Sequence, residues 1–141
     1  MKKVLGIVVL GLLWCGAVTS AEVVLYCALK KVEPLGEMLT EADKKMAKEE
    51  VIGSKAEVKF QIDSKILHMK DEKRGLRKFE IVELGANWLD SEFVEVNDKG
   101  FIADTVMVGL DDFLVLRNIH EGTNSSKKVL SINIEYKCQK K

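Results

Sequence analysis

The chain has 141 residues, of which 47% are hydrophobic, and its 22 basic and 22 acidic side chains balance. This balance lacks the basic excess of a nucleic-acid-binding protein, and the length suits one domain with its own hydrophobic core. No catalytic, metal-binding or nucleic-acid-binding motif occurs in the sequence, so its patterns inform us about compartment and architecture more than about function.

The first 21 residues have the three parts of a secretory signal peptide. A pair of lysines comes first, an apolar run of eleven residues follows, and small residues come last. The run is far shorter than the roughly 20 residues of a membrane-spanning helix. We therefore predict a signal peptide over residues 1–21, cleaved after Ser20 or Ala21, and a single β-rich domain over residues 22–141. The short basic start is typical of bacterial export and predicts a periplasmic or secreted protein.

Cys15 permits a second interpretation of the N-terminus, in which this cysteine becomes the lipid-modified first residue of the mature chain. Trp14 argues against it, because the residue before a lipidated cysteine is normally small. Without the signal peptide the chain keeps twenty basic and twenty-two acidic side chains, a net charge of −2. No later segment is apolar over the length that a membrane-spanning helix needs.

Two cysteines remain in the exported part of the chain, Cys27 near its start and Cys138 near its end. Both lie on the apolar face of a segment with a strand pattern. An even number of cysteines in an exported chain predicts one disulfide, which would place the first and last strands side by side with Cα atoms within about 7 Å. Two separate buried thiols are the alternative.

The first predicted strand covers Glu22 to Lys30, and apolar residues on both faces indicate a strand covered on both sides. A helix is predicted over Glu33 to Glu50, where apolar residues recur at spacings of three and four. Pro34 suits the first helical position, while Thr40 and Asp43 offer a second start with capping-box spacing. We expect this amphipathic helix to pack on the sheet or to close one of its ends.

From Ala56 onward, apolar and polar residues alternate as in half-buried strands. A slip in this alternation between Ile81 and Val82 indicates a β-bulge. The predicted strands are Ala56 to Asp63, Ile66 to Lys70, Leu76 to Leu84, Glu92 to Val96, Phe101 to Val108, Phe113 to His120 and Lys127 to Cys138. The predicted turns between them are Asp71 to Gly75, Gly85 to Ser91, Asn97 to Gly100, Gly109 to Asp112 and Glu121 to Ser126.

About eight strands joined by short connections favour antiparallel neighbours. The sequence therefore predicts a mainly β fold, either an antiparallel β-sandwich or a small up-and-down β-barrel, with one amphipathic helix after the first strand. An open α+β sheet with the helix on one face is the alternative.

Charge is distributed unevenly along the β part. Residues 80–112 contain nine acidic side chains against Lys99 alone, and residues 65–78 contain six basic against two acidic side chains. We interpret this as neighbouring strands of opposite charge that pair across the outer face, although an acidic surface for a cationic partner or Ca²⁺ is the alternative. Neither Asn97 to Gly100 nor the pair Asp111 and Asp112 has the spacing of a calcium loop, so no metal site is predicted.

Four residues are candidates for contact with a ligand or partner. Trp88 and Asn87 lie in a predicted loop, where the tryptophan either contacts a ligand or plugs the end of the core. His68 and His120 lie in predicted strands and outside any zinc or catalytic spacing.

From these patterns we predict a non-enzymatic binding or interaction module of the cell envelope, with no cofactor, that binds a small molecule or an envelope protein. No catalytic residue is predicted. An enzyme or enzyme inhibitor whose active groups lie far apart in the sequence is the alternative.

Overall fold

The structure, a computed structural model, describes residues 21–36, 39–46, 48–49, 54–125 and 129–141. The predicted signal peptide lies outside these residues except for Ala21. The described elements are β1 (Val23–Leu35), α1 (Glu41–Met46), β2 (Lys55–Gln61), β3 (Ile66–Asp71), β4 (Gly75–Leu84), β5 (Trp88–Asn97), β6 (Gly100–Gly109), β7 (Leu114–Thr123) and β8 (Val129–Lys140).

The strands form a closed, up-and-down antiparallel barrel. Each strand pairs with the next one along the chain, and β8 pairs with β1 to close the ring. This confirms the predicted small eight-stranded barrel and rules out the sandwich and the open sheet for these strands. A barrel of eight strands has an interior just wide enough for side chains to fill it.

The seam between β1 and β8 carries the disulfide bond between Cys27 and Cys138. The two cysteines are direct partners in the β1–β8 register, their Cα atoms are 4.0 Å apart, and both are buried. The two Cα atoms therefore lie within the limit of about 7 Å that a disulfide between these cysteines requires. The bond joins positions separated by 111 residues, so it fixes the first strand of the barrel to the last.

Alternation along β8 places its inward side chains as predicted. Ile132, Ile134, Tyr136 and Cys138 are buried, and Leu130 is half-buried at the end of the strand. The same period of two fills the interior from the other seven strands, because successive residues of a strand point to opposite faces. The largest fully buried side chains include Tyr136 and Phe79.

Two predictions for the N-terminal part are wrong. β1 is not covered on both sides, since Tyr26 and Ala28 are exposed on the outer face of the barrel. In a single sheet closed into a barrel, only the inner face is shielded from solvent, which explains why the outer side chains of β1 are exposed. β1 also continues to Leu35, so Pro34 is a buried strand residue opposite Ile132 and not the first residue of a helix.

The helix starts where the second capping signal predicted. Thr40 N–H donates to Asp43 Oδ2 at 3.0 Å, and Asp43 N–H donates to Thr40 Oγ1 at 3.1 Å, which is a reciprocal capping box. The described helix α1 has six residues and none of them is buried, so it adds no apolar face to the core. Part of the predicted helix, including Met38 and Ala47, lies outside the described residues.

The predicted bulge in β4 is confirmed, since the β4–β5 register shifts between Ile81 and Glu83. The loop predicted over Gly85 to Ser91 is shorter than expected, because β5 already begins at Trp88. Ser91 is buried inside the barrel, where its hydroxyl donates to the Val106 carbonyl at 2.9 Å. Similarly, β7 continues to Thr123 through residues that were predicted to turn.

Because the disulfide closes a loop of more than a hundred residues, its removal should lower the free energy of unfolding. The double substitution Cys27→Ala and Cys138→Ala is expected to cost about 2–5 kcal/mol in urea unfolding. The reduced wild-type protein should unfold at the same urea concentration as the double variant. A loss below about 1 kcal/mol would show that strand pairing alone holds the seam.

Candidate functional site

Both ends of the barrel hold an open cavity, and the one with carboxylates on its inner wall is the candidate site. At this end, which we call the mouth, lie the last residues of β1 and the turns that follow β3, β5 and β7. A cavity of about 390 Å³ opens there. Among its lining residues are Leu39, Glu95, Asn97, Ile102, Glu121 and Leu130.

One row of side chains runs around the inner wall of the mouth. Glu95 pairs with Ile102, Ile102 with Glu121, and Glu121 with Leu130 in the registers of β5 to β8. All four have the same strand parity as the buried residues further inside, so they face inward. The mouth therefore presents two carboxylates separated by apolar side chains.

Glu121 is neutralised by a cation from the opposite side of the barrel. Arg74, in the turn between β3 and β4, donates from Nη2 to Glu121 Oε2 at 2.8 Å. Gly75, with φ of 74°, ends this turn in the left-handed region that favours glycine. The turn thus reaches across to β7 and forms part of the rim.

Glu95 differs from Glu121 in having no cation beside it. Among the described residues, its carboxylate accepts a single hydrogen bond, a long one of 3.4 Å from Asn97 Nδ2. Its carboxylate is exposed, and it is open to a group that enters the mouth.

Below the mouth, a buried carboxylate joins three strands. Asp104 of β6 is fully buried and accepts from Arg117 Nε at 3.0 Å and from Arg117 Nη2 at 2.6 Å. Arg77 of β4 donates to the same carboxylate from Nη1 at 2.6 Å. Arg77 also lies over the Phe93 ring, 4.7 Å from its centroid, and Arg117 lies over the Phe79 ring at 5.9 Å. Two guanidinium groups thus satisfy one carboxylate inside the barrel.

A second buried carboxylate fixes the turn that carries Arg74. Asp71 Oδ1 accepts from the backbone N–H groups of Lys73 and Arg74 at 2.8 and 3.0 Å. Its other oxygen, Oδ2, accepts from the Tyr136 hydroxyl at 3.0 Å. Asp71 therefore ties the position of the rim cation to β8, on the far wall of the barrel.

Burial sets the ionisation of this polar core. Burial and the nearby charge of Asp71 raise the pKa of the Tyr136 hydroxyl far above its usual value of 10.0. Burial would lower the pKa of Arg117, but its hydrogen bonds and attraction to Asp104 outweigh that effect and leave the pKa raised. Tyr136 is thus held neutral and Arg117 held charged.

Two buried donors of this region have no partner within the described part of the chain, Arg74 Nε and Arg117 Nη1. Buried donors of this kind normally bind an acceptor. Arg74 lies at the rim and Arg117 in the core beneath it, so both unpartnered donors lie in the polar region that begins at the mouth.

The four residues that the sequence suggested as contacts are not brought together. Trp88 and Asn87 line a separate groove of about 360 Å³ at the end opposite the mouth. His68 is exposed on the outer face of β3, between Lys59 and Lys78 in the registers of its neighbours.

His120 is exposed on the outer face of β7, where its ring centroid is 5.5 Å from that of Phe101. None of the four is among the residues that line the mouth cavity. Their roles as contacts stay predictions.

The expected pairing of opposite charges holds only in places. Glu57 faces Lys70 across β2 and β3. Across β4 and β5, however, acids face acids, with Glu80 opposite Glu92 and Glu83 opposite Asp90. The prediction of opposite charges is wrong for this pair of strands, because β5 belongs to the acidic segment and so does the half of β4 that pairs with it.

The sequence interpretation missed the charged core, although the alternation contained a signal for it. Asp104 shares its parity with Val106 and Val108, and Arg117 shares its parity with Val115 and Ile119. A charged residue of each sign on the inward face of adjacent strands indicates a buried ion pair.

Within the described residues, no group of three or more His, Cys, Asp or Glu side chains is placed to hold a metal ion. No helix in that part of the chain has the length and apolar character to cross a membrane. Comparisons with protein-family models, with curated proteins and with solved structures each find no match to this chain.

The substitution Asp104→Asn tests the energetic role of the buried carboxylate. It leaves Arg77 and Arg117 without a compensating charge, so the free energy of unfolding should fall by about 3–5 kcal/mol. Asp98→Asn, at the exposed turn between β5 and β6, is the matched control and should leave stability unchanged. Equal stability of the two variants in urea unfolding would contradict a structural role for Asp104.

The raised pKa of Tyr136 predicts alkaline destabilisation. A hydroxyl whose pKa is higher in the folded state stabilises the fold below pH 10 and loses that contribution as the pH rises toward its folded pKa. The free energy of unfolding should therefore fall above about pH 10, by up to about 1.4 kcal/mol per pH unit for this proton.

Tyr136→Phe should flatten this slope, even though it lowers stability at neutral pH by removing the hydrogen bond to Asp71. Tyr26→Phe, which changes the exposed tyrosine of β1, should keep the wild-type slope. The comparison is made by urea unfolding between pH 9 and 11. Parallel slopes for the wild type and Tyr136→Phe would show that another group controls the alkaline transition.

Proposed function

We propose that this protein is a non-enzymatic binding module of the bacterial envelope, and that it takes the cationic end of a small amphiphile into the mouth of its barrel. Export is supported by the signal-peptide pattern of residues 1–21 and by the disulfide, since disulfides persist mainly in oxidising compartments.

The cavity at the mouth carries the proposal. Its volume of about 390 Å³ lies within the range of small-molecule sites, which occur preferentially in places such as the mouths of β-barrels. Apolar side chains of Leu39, Ile102 and Leu130 alternate there with a few polar groups. That combination is typical of a site that binds an apolar body and orients one polar end.

The sign of the ligand charge follows from the two inward carboxylates. Glu121 already has Arg74 at 2.8 Å, whereas Glu95 has no cation within 4.0 Å among the described residues. An ammonium group beside Glu95 would gain a charge-assisted hydrogen bond. An anionic head group would instead be repelled by the carboxylate of Glu95. Lys99, in the turn at the rim, would weaken this repulsion.

The floor of the mouth limits the size of the ligand. The next inward row, Phe93, Asp104, Ile119 and Ile132, is closed by the ion pairs of Asp104 and by packing of buried side chains. Only the rim is open, so the site suits a head group with a short apolar part and leaves a longer chain in the solvent.

Octylammonium, octanoate and octanol form a set of probes with one chain length and three head groups. In an NMR titration, octylammonium should shift the methyl signals of Ile102 and Leu130, and octanoate should bind more weakly. Glu95→Gln should weaken octylammonium binding about threefold to fivefold, as expected for a partly exposed ion pair.

Glu92→Gln is the matched control, because Glu92 lies on the same strand with its side chain outside the barrel. It should leave binding unchanged. Shifts that avoid the mouth residues would contradict the site, and equal binding of octanoate and octylammonium would contradict its preference for cations.

A further inference from the structure

The ladder between β4 and β5 is incomplete toward the mouth. β5 pairs with β4 only from Leu89 to Glu92, whereas its remaining residues, 93–97, pair with β6 alone. Residues 75–79 of β4 likewise pair with β3 alone. Two strand edges therefore face each other without a ladder, and we name this opening, formed by residues 75–79 and 93–97, the β4–β5 cleft.

The backbone of β5 points its hydrogen-bonding groups into this cleft. The Asn87 carbonyl accepts from Leu110 N–H on the β6 side, and the Trp88 carbonyl accepts from Gly85 N–H on the β4 side. In an antiparallel strand these directions alternate, so odd-numbered residues of β5 face β6 and even-numbered residues face β4. The N–H and C=O groups of Val94 and Val96 are therefore directed into the cleft, where no strand of the described residues pairs with them.

Apolar side chains flank the opening on the outer face. Leu76 on β4 is 68% exposed, and Val94 and Val96 on β5 are 60% and 76% exposed. These are the three most exposed large hydrophobic residues of the described chain. On the inner side, Phe93 packs against Arg77 and Phe79, so the cleft has a floor and does not open into the core.

The barrel has a second strand edge without a partner strand, at the end of β1. This edge has features that protect it against the addition of another strand, and the β4–β5 cleft lacks them. β1 pairs with β2 only as far as Ala28, and its remaining residues pair with β8 alone. That edge contains Pro34 and is rich in charge, with Lys30 and Lys31, which are common protections against strand addition. The outer positions of the β5 edge are valines instead.

We propose that the β4–β5 cleft binds an extended segment of a partner protein, which adds to β5 as an antiparallel strand. Main-chain hydrogen bonds to Val94 and Val96 hold the segment, and outward apolar side chains of the segment pack between Leu76 and the two valines. This docking is independent of ligand binding in the mouth, because it uses the backbone edge and outer face of β5.

The charge at the apex of the cleft defines the segment further. Glu80 and Glu92 face each other where β4 and β5 separate, and neither has a cation within 4.0 Å among the described residues. Lys65 and Lys78 line the same groove without contacting them. A lysine or arginine at the C-terminal end of an antiparallel segment would reach these two carboxylates, so the segment alternates apolar residues and ends in a basic one.

The same charges argue against a second copy of this chain as the occupant. In the antiparallel β5–β5 pairing that places Val94 opposite Val96, Glu92 would lie opposite Asp98 of the other copy, and in the pairing that places Val94 opposite Val94 it would lie opposite Val96, so neither register places a cation opposite Glu92. Like charges directly opposite each other destabilise a strand pair. A basic partner segment avoids this repulsion.

The probe is a blocked peptide of sequence Thr-Val-Thr-Val-Thr-Lys, with Thr-Val-Thr-Val-Thr-Glu as its matched control. Added at millimolar concentration to the oxidised protein, the lysine peptide should slow amide hydrogen exchange at Val94 and Val96 at least tenfold. The glutamate peptide should bind at least fivefold more weakly. Unchanged exchange at both amides in the presence of the lysine peptide would overturn the proposal.

Two variants identify the cleft as the binding place. Val94→Pro removes an N–H that has no strand partner in the described part of the chain, so the variant should fold normally and fail to bind the peptide. Val96→Lys should weaken binding at least fivefold, whereas Val82→Lys, at an exposed β4 position outside the cleft, should not. Should the wild-type protein prove dimeric and Val94→Pro monomeric, the occupant would be a second copy, and the proposal of a basic partner segment would be wrong.

Discussion

The pairing of β8 with β1 is the constraint on which the rest of this structure depends. Closure turns one face of every strand into a common interior, so each inward residue meets side chains from the opposite wall as well as from its neighbours. The disulfide between Cys27 and Cys138 lies directly on this seam. Because it restricts the unfolded chain across 111 residues, it favours the closed ring.

Closure also explains why the interior tolerates charge. Asp104, Arg77 and Arg117 come from three different strands and meet only because the walls of the barrel curve around a narrow core. A buried charge is costly unless partners satisfy it, and here three charge-assisted hydrogen bonds converge on one carboxylate. We infer that this arrangement fixes the relative register of β4, β6 and β7, since a shift by one residue would place the charges on opposite faces.

The sequence predicts much of this fold, because half-buried strands leave a simple signal. The alternation in β8, the bulge near Ile81 and the proximity of the two cysteines all follow from local pattern and cysteine count. The choice between sandwich and barrel does not, because it depends on whether β8 pairs with β1. Helical spacing around Pro34 misled the prediction, since strand pairing with β8 outweighs a local helix signal there.

The candidate site is harder to predict than the fold for a physical reason. Glu95, Glu121 and Arg74 are separated by 21 to 47 residues and meet only at the rim. Each is an ordinary surface residue by local pattern. Only the register of β5 to β8 shows that both glutamates lie on the inner wall, and only the buried contacts of Asp71 show why the turn with Arg74 reaches Glu121.

Incomplete strand pairing connects the mouth and the cleft. β2 and β3 have seven and six residues, whereas the other six strands have ten to thirteen. β1 keeps an unpaired edge beyond Ala28, where the shorter β2 does not follow it. β5 keeps an unpaired edge beyond Glu92 for another reason, because it separates from β4 although β4 is as long as β5.

The turn between β3 and β4 carries Arg74, which contacts Glu121 of β7 and so completes the rim of the mouth. The same end of the barrel thus carries both an inner surface, which is the mouth, and an outer strand edge, which is the cleft. Pro34 protects the edge at β1, and no proline protects the edge at β5. This difference between the two unpaired edges is the reason to regard the β5 edge as a surface for strand addition.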